Sequence, residues 1–409
     1  MQIYQFFVIP RKKVVIRTKL GGAQFRDICG MILSVIIVNY RVPYFLELCL
    51  RSVRKSLQNL DAEIIVVDNH SADGSLDFLG PLFPEVTWIV NTENIGFARA
   101  NNQALRQATG DYILFLNPDT VVPEDFARKC LGFIQSLPHP GGVGVRMIDG
   151  KGQFLRESRR GFPSPWVAFC KLSGLTALFP RSRHFARYYL GHLPAGRPHP
   201  APVLSGACLW VSRSALETTG PFDETFFMYA EDIDLSYRLE SAGYTNYYFP
   251  ETTIIHFKGE STSKDFWYTR QFYKAMVLFQ RKHFKLPAFS RTAIETVIRL
   301  RAAFSAAAKI KILQTRHSSK PRRTWLTGDP AGITRLKSAM TASHERTAAP
   351  DEHHADEIIF CIGTEFTFQS AIGALERKNP AQTVAFYAAG SLAVLSSSRA
   401  DGKGEAWIL

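Results

Sequence analysis

Leu33–Asp68 reads LSVIIVNYRVPYFLELCLRSVRKSLQNLDAEIIVVD. It opens on an apolar run, Leu33–Asn39, and closes on another, Glu63–Asp68, and each run ends in a polar side chain. β-branched residues dominate both. Runs that are apolar on both faces are what a parallel sheet covered by helices demands. Between them Pro43–Leu57 has a helical period, and Pro43 sits at the first turn, where its missing N–H would be unpaired anyway.

The same unit repeats downstream. Val86–Asn91 (VTWIVN) and Tyr112–Asn117 (YILFLN) are further strand-like runs, and Ser75–Leu82 and Phe97–Ala108 are helix-like. Strand, helix, strand, repeated, predicts a doubly wound α/β sheet, in which ligands bind beyond the carboxyl ends of the strands. Those ends are Asn39-Tyr40, Asp68-Asn69, Asn91–Asn94 and Asn117–Asp119, four polar strand ends converging on one crevice.

Beyond them the pattern weakens. Residues 138–200 are rich in Gly, Pro, Arg and aromatics. Val203–Val211 reads as a strand, Ala230–Ala242 as a helix closed by Gly243, and Tyr247–Phe249 and Thr253–Phe257 as short strands. Asp265–Phe284 is an amphipathic helix with Tyr268, Phe272, Met276 and Phe279 on one face. Trp325–Leu326, Glu357–Ile362 and Thr383–Tyr387 are strand candidates near the C-terminus, and Thr341–Asp356 reads as loop or disorder.

The chain has 409 residues, enough for two domains at roughly 150 residues each. Hydrophobic residues make up 46% and charged residues 21%, which excludes wholesale disorder and a collagen-like scaffold. The net charge of +13 is local: residues 1–30 contribute +5, 31–280 nothing, 281–323 +11 and 324–409 −3. Six cysteines, none in a CxxC pair, fit buried reduced thiols in a cytoplasmic protein better than zinc or disulfides. No stretch reaches about 18 uncharged apolar residues, so no spanning helix is expected. The apolar stretch Ile3–Pro10 precedes the positive charges, opposite to a secretory signal.

Two acidic groups stand out. Asp119 lies just past the Tyr112–Asn117 run, where one carboxylate and substrate phosphates can hold Mg²⁺ or Mn²⁺. An Asp there is also a common turn or cap residue. Glu231-Asp232-Ile233-Asp234 opens a helix behind Phe226-Phe227-Met228-Tyr229. Helix-dipole complementarity and an Asp234–Arg238 pair at i,i+4 account for Asp234. They account less well for the carboxylates behind an aromatic wall, where one could take a proton from a sugar hydroxyl.

Seven motifs in order, SVIIVNY (34–40), VVDNHSADG (66–74), NIGFARANN (94–102), 112–119, SGACLWV (205–211), FFMYAEDIDLSYR (226–238) and HFKGES (256–261), resemble family-2 glycosyltransferases of the bacterial rhamnosyltransferase-like group. The resemblance covers about residues 31–265. It implies a GT-A fold, a doubly wound mostly parallel sheet with a nucleotide-binding half and an acceptor half. It further implies inverting, metal-dependent transfer of one sugar, such as rhamnose, from a nucleoside diphosphate to a glycan or lipid-linked glycan in cell-surface polysaccharide synthesis. Under it Asn39, Tyr40 and Asp68 line the base and ribose pocket, and Asn94, Gly96, Asn102 and Asn117 hold the nucleotide. Gly96 admits close backbone approach, and the Phe97–Ala108 helix offers its N-terminus. Ser205, Gly206 and Glu231 shape the acceptor side, Asp232 is the base, and Asp119 with His256 holds Mg²⁺ or Mn²⁺. Asn117 stands where the family often has the first Asp of Asp-x-Asp, which leaves Asp119 the sole carboxylate there. Trp210 is assigned to the core.

The organisation expected is a basic extension over 1–30, the transferase domain over 31–265, an amphipathic and basic helical segment with linker over 266–323, and a small α/β extension over 324–409. Residues 281–323 suit an anionic membrane surface, which would make the protein cytoplasmic and peripheral on the inner face of the membrane. A solvated linker is the plainer reading, and no nucleic-acid motif supports the third. A pyrophosphorylase would need a Gly-rich first loop, and a processive synthase a Gln-x-x-Arg-Trp motif; neither is present. An inactive nucleotide-sugar-binding scaffold is the alternative to an enzyme.

Overall fold

The computed structural model describes residues 32–164, 173–260, 266–284, 322–341, 346–396 and 404–409, with positions 166, 167, 170, 287, 292 and 296. The extension over 1–30 and nearly all of the basic segment after 284 lie outside the described residues.

The first half alternates as expected: β1 (Leu33–Asn39), α1 (Pro43–Ser56), β2 (Ala62–Asp68), α2 (Ser75–Leu82), β3 (Val86–Val90), α3 (Phe97–Leu105) and β4 (Tyr112–Leu116). Strands β3, β2, β1 and β4 pair in parallel, in that spatial order. The alternating side chains of β1 enter two different cores. Leu33, Val35 and Ile37 pack with α1, α2 and the Phe126–Ser136 helix, whereas Ile36 and Val38 pack with α3 and elements further along the chain. Burial on both faces is why β1 reads as continuously apolar.

The second half comprises β5 (Thr120–Val121), α4 (Phe126–Ser136), β6 (Pro140–Ile148), β7 (Arg159–Arg160), α5 (Leu175–Leu178), β8 (His199–Pro200), β9 (Val203–Leu204), β10 (Cys208–Ser212), α6 (Arg213–Thr219), α7 (Glu231–Ser241), β11 (Thr245–His256) and α8 (Phe266–His283). The sheet continues from β4 through β10, β6 and β11 to β5, with β10 antiparallel to β4 and β11 parallel to β6. Two expectations change. The strand expected over Val203–Val211 is broken by Ser205–Ala207, because β9 pairs with β7 while β10 pairs with β4 and β6. The two short strands expected around 247–257 are one strand, β11, with a register shift between Phe249 and Thr253. Trp210 is fully buried in the core.

The C-terminal region forms β12 (Arg322–Gly328), α9 (Pro330–Thr341), β13 (Arg346–Ala348), β14 (Glu357–Ile362), α10 (Phe368–Arg377), β15 (Thr383–Ala388), β16 (Ala393–Ser396) and β17 (Glu405–Ile408). Its order is β13-β12-β14-β15-β16-β17, parallel through β15. Strand β13 lies in the stretch expected to be loop. It is short, and it pairs at the sheet's edge with β12, a long-range partner that local pattern does not reveal. The crevice between β12 and β14 is where such a sheet would bind phosphate. The Asp329 carboxylate fills it, accepting from the N–H groups of Ala331, Gly332 and Thr364 at 3.0–3.3 Å.

This sheet shares a core with the transferase half. Phe45 and Leu48 of α1, Ile255 of β11 and Phe257 pack with Phe360, Phe386 and Leu395. Glu124 caps α10 by accepting from Phe368 and Gln369 N–H at 2.8 and 3.0 Å, and Arg51 donates to the Ala389 and Gly390 carbonyls. Phe386 is buried, its ring 5.3 Å from that of Phe257 and 5.7 Å from that of Phe360. Phe386→Ala is therefore expected to cost about 3–5 kcal/mol in unfolding free energy, and to lower the denaturant midpoint read from transferase-half tryptophans. A loss confined to a separate C-terminal transition would show two independent cores.

Candidate active site

Asn39 and Asp68 are register partners at the ends of β1 and β2, and the pairing brings their side chains together. The Asn39 amide donates to Asp68 at 2.8 Å and to the Ser71 hydroxyl at 3.1 Å, while the other Asp68 oxygen accepts from Ser71 N–H at 3.0 Å. Both residues are buried, and the Asn39 side-chain oxygen Oδ1 has no partner. The Arg41 guanidinium lies over the Tyr40 ring. Ser71 and Asn69 complete this corner. Asn69 donates to Asn94, and its oxygen accepts from Asn91 and from Ile95 N–H.

Three expected nucleotide ligands have other work. Asn102 is buried, donating to the Phe222 carbonyl at 2.8 Å and to Glu224, and accepting from Phe222 N–H at 3.1 Å. Its amide is consumed at both ends, so it is a strut. Gly96 has φ +88°, and a Cβ there would meet the Phe227 carbonyl at 2.6 Å. The close approach that requires glycine is to this chain's own backbone. The α3 N-terminus is likewise occupied, since Phe97 N–H donates to that carbonyl at 2.8 Å. Asn94 braces the turn by accepting from Gly96 N–H.

Asp119 and His256 come together because β5 pairs with the end of β11. His256 Nε2 lies 3.4 Å from Asp119 Oδ1 and 3.4 Å from the Asn117 amide nitrogen. Both residues are buried, and Asp119 Oδ1 and His256 Nδ1 have no hydrogen-bond partner. Burying such atoms unpaired is costly, so an orphaned carboxylate oxygen beside an imidazole fits a cation. Among the described residues no group of three His, Cys, Asp or Glu side chains converges, so any ion here would need ligands beyond Asp119 and His256. Burial pushes the nearby Cys49 thiol up to about 12, which leaves it inert.

Asp232 sits in the first turn of α7, after Tyr229 and Ala230, both of which have positive φ. One carboxylate oxygen accepts from Arg160 at 2.6 Å and from Gly206 N–H at 3.1 Å; the other accepts from Ile233 N–H. Arg160 was not visible in the sequence, because β7 is two residues long in a stretch with no period. Burial opposes its charge, but Asp232 and Tyr188 outweigh burial and raise its pKa. Ser205 accepts from Ala207 N–H, so Ser205–Ala207 forms a tight loop against Asp232. Asn117 N–H donates to the Ala207 carbonyl at 3.0 Å, so one face of that loop meets the Asn117–Asp119 segment and the other meets Asp232.

Asp234 is fully buried and structural, as its helix position implied. It accepts from Arg238 at 2.8 Å, and Lys282 and His283 of α8 reach its other oxygen. Glu231 is buried, with one oxygen lacking a partner.

Glycosyl transferase family 2 matches residues 34–220. N-acetylglucosaminyl-diphospho-decaprenol L-rhamnosyltransferase of Mycobacterium tuberculosis is 30% identical over 246 residues, 57% of this chain and 78% of the relative. The chain is a family-2 glycosyltransferase. The rhamnosyltransferase WbbL of Escherichia coli is 26% identical to this glycosyltransferase over 229 residues, half of this chain and 78% of its own. Among solved structures, the mannosyltransferase PcManGT of Pyrobaculum calidifontis, in complex with GDP-Man and Mn²⁺, aligns with a TM-score of 0.44 at 18% identity, covering 78% of this chain and 84% of that one.

Burial, and then the adjacent Asp232 carboxylate, push the Glu231 carboxyl from its ordinary 4.5 up to about 8. The folded glycosyltransferase then keeps a proton that the unfolded chain has lost, so stability falls as pH rises from about 4.5 to about 8 and levels off above. Glu231→Gln removes that slope. Its melting temperature relative to the parent should be higher at pH 8 than at pH 5; parallel pH profiles would place the carboxyl in a wetter environment.

Proposed function

We propose that the glycosyltransferase moves one sugar, rhamnose or another deoxyhexose, from a nucleoside diphosphate to a glycan or lipid-linked glycan acceptor in bacterial cell-surface polysaccharide synthesis, with inversion. The observation that carries this reading is the Ser205–Ala207 loop, hydrogen-bonded to Asn117 on one side and to Asp232 on the other. It sets a candidate diphosphate end and a candidate base across a single short loop.

In this reading Asn39 and Asp68 take the nucleobase, with the unpartnered Asn39 oxygen and the remaining lone pairs of Asp68 available to it. Asp119 and His256 would hold Mg²⁺ or Mn²⁺, which when bound with the diphosphate offsets the charge of the leaving group. Asp232 accepts the proton of the acceptor hydroxyl as its oxygen bonds to the anomeric carbon and the bond to the diphosphate oxygen breaks on the opposite face. Arg160, Gly206 N–H and Ile233 N–H hold the carboxylate in one orientation and leave one of its roughly four lone-pair sites for that proton. The name of the mycobacterial relative, which specifies a diphospho-decaprenol acceptor and L-rhamnose, supports the substrate class.

Melting temperature with UDP, dTDP and GDP, each with and without Mn²⁺, tests donor binding without knowing the acceptor. A ligand at 100 times its Kd adds about 2.7 kcal/mol of stability, enough to move melting by a few degrees. A metal-dependent shift with one nucleotide is expected, dTDP for a rhamnose donor; no shift with any of the three would remove the nucleotide-binding roles assigned here. Asp119→Ala should abolish the Mn²⁺ dependence of the shift, and an unchanged dependence would place the metal elsewhere. Asp232→Asn should keep the nucleotide shift and lose transfer by at least about a hundredfold; full transfer would remove the base assignment.

A further inference from the structure

Residues 158–200 contain no Asp or Glu, although residues 31–280 as a whole carry no net charge. Arg181, Arg183, Arg187 and Arg197 of this lobe are all exposed. So are three large apolar side chains, Trp166 at 47%, Leu178 at 70% and Phe179 at 46%. They are not scattered. The Phe185 ring lies 6.2 Å from Trp166 and 5.4 Å from Phe179, and Leu178 adjoins Phe179 at the end of α5. The indole N–H of Trp166 donates to the His184 carbonyl and Thr176 donates to the Phe185 carbonyl, which fixes the cluster against the following turn.

The cations converge as well. Burial, with Arg183, Arg159 and Arg187 nearby, holds His192 below the ordinary imidazole range, which marks a local field of one sign. The lobe is joined to the site at its base. Gly161 N–H donates to the Tyr188 carbonyl, and the neighbouring Arg160 is the residue that holds Asp232.

We infer that this lobe is a docking surface for an anionic lipid bilayer, with Trp166, Leu178 and Phe179 entering the interface and Arg181, Arg183 and Arg187 meeting phosphate headgroups. A soluble glycan can stack a sugar face on an aromatic ring but would leave Leu178, 70% exposed, uncovered. A protein partner of ordinary composition would not call for a lobe with no acidic residue. Aromatic side chains flanked by arginine suit the boundary between headgroups and acyl chains, and each cation near an anionic surface adds to binding. Among the described residues no helix is long and apolar enough to cross a membrane, so contact of this kind would be peripheral. The inference deepens the proposed function, because a lipid-linked acceptor would then be met on the side where Asp232 sits.

Flotation of the full chain with phosphatidylglycerol or phosphatidylcholine vesicles tests it. Binding to phosphatidylglycerol that weakens with salt is expected, with little binding to phosphatidylcholine. Replacing Arg181, Arg183 and Arg187 by Ser, or Leu178 and Phe179 by Ser, should each lower the bound fraction about tenfold or more. The three arginines are exposed, so their variant should keep the parent's melting temperature; Phe179 also packs on Phe185, so the apolar variant is compared well below its own melting temperature. Replacing Arg299, Arg301, Lys309 and Lys311 by Ser should leave most of the binding. Full binding by the lobe variants, loss of binding only in the 299–311 variant, or no flotation of the parent would overturn the inference. Charge-dependent flotation without any nucleotide shift would uphold the surface and remove the transferase roles instead.

Discussion

Strand β1 is buried along its whole length, and its alternate side chains feed two separate cores. Neither face of the central sheet can therefore carry exposed polar chemistry. Polar groups are pushed to the strand ends, where the chain leaves the helix-covered interior, and register decides which of them meet. Asn39 meets Asp68 because β1 and β2 pair residue for residue to their last positions. Asn117 and Ser205–Ala207 meet because antiparallel β10 begins where β4 ends.

Around that edge the structure commits charge in pairs. Arg160 and Asp232 form an ion pair taken largely out of water, and Lys282 of α8 reaches the fully buried Asp234. Such pairs contribute little net stability against an apolar replacement, but breaking one by removing a partner typically costs about 3–5 kcal/mol. Their effect is positional. Asp234 ties α8 to α7, and Arg160 ties an otherwise irregular lobe to the carboxylate with which the acceptor hydroxyl would react. Glu231 has no ion-pair partner among the described residues, and burial, with Asp232 beside it, pushes its carboxyl up.

The C-terminal sheet behaves as a continuation of the transferase core. Helix α1 uses one face, through Leu46, Leu50 and Val53, to cover the central sheet, and another, through Phe45 and Leu48, to cover β14 to β16. Phe257, next to His256, packs on Phe386, so the C-terminal sheet buttresses the chain segment that carries the imidazole. In the crevice between β12 and β14 the Asp329 carboxylate accepts from Gly332 and Thr364 N–H, which ties the start of α9 to the turn after β14.

Local pattern alone determined the α/β repeat from β1 to β4, the two-sided burial of β1, β2 and β4, the α7 boundaries and the polar strand ends, because each depends on a period of a few residues; β3, at the sheet edge, is exposed at Thr87 and Val90. Seven ordered motifs were enough for the family. Tertiary pairing decided the rest. The break at Ser205–Ala207 exists because β9 and β10 have different partners, and β13 exists only by pairing with β12. Asn102 and Gly96 carry the same residue types whether they hold a nucleotide or their own chain; only the placement of Phe222 and Phe227 shows that they hold the chain. Arg160 lies 72 residues from Asp232, in a stretch without period, and no spacing rule links positions that far apart. Periodicity records which side of an element is buried, whereas the identity of the partner across a long loop is set by the packing of the whole chain.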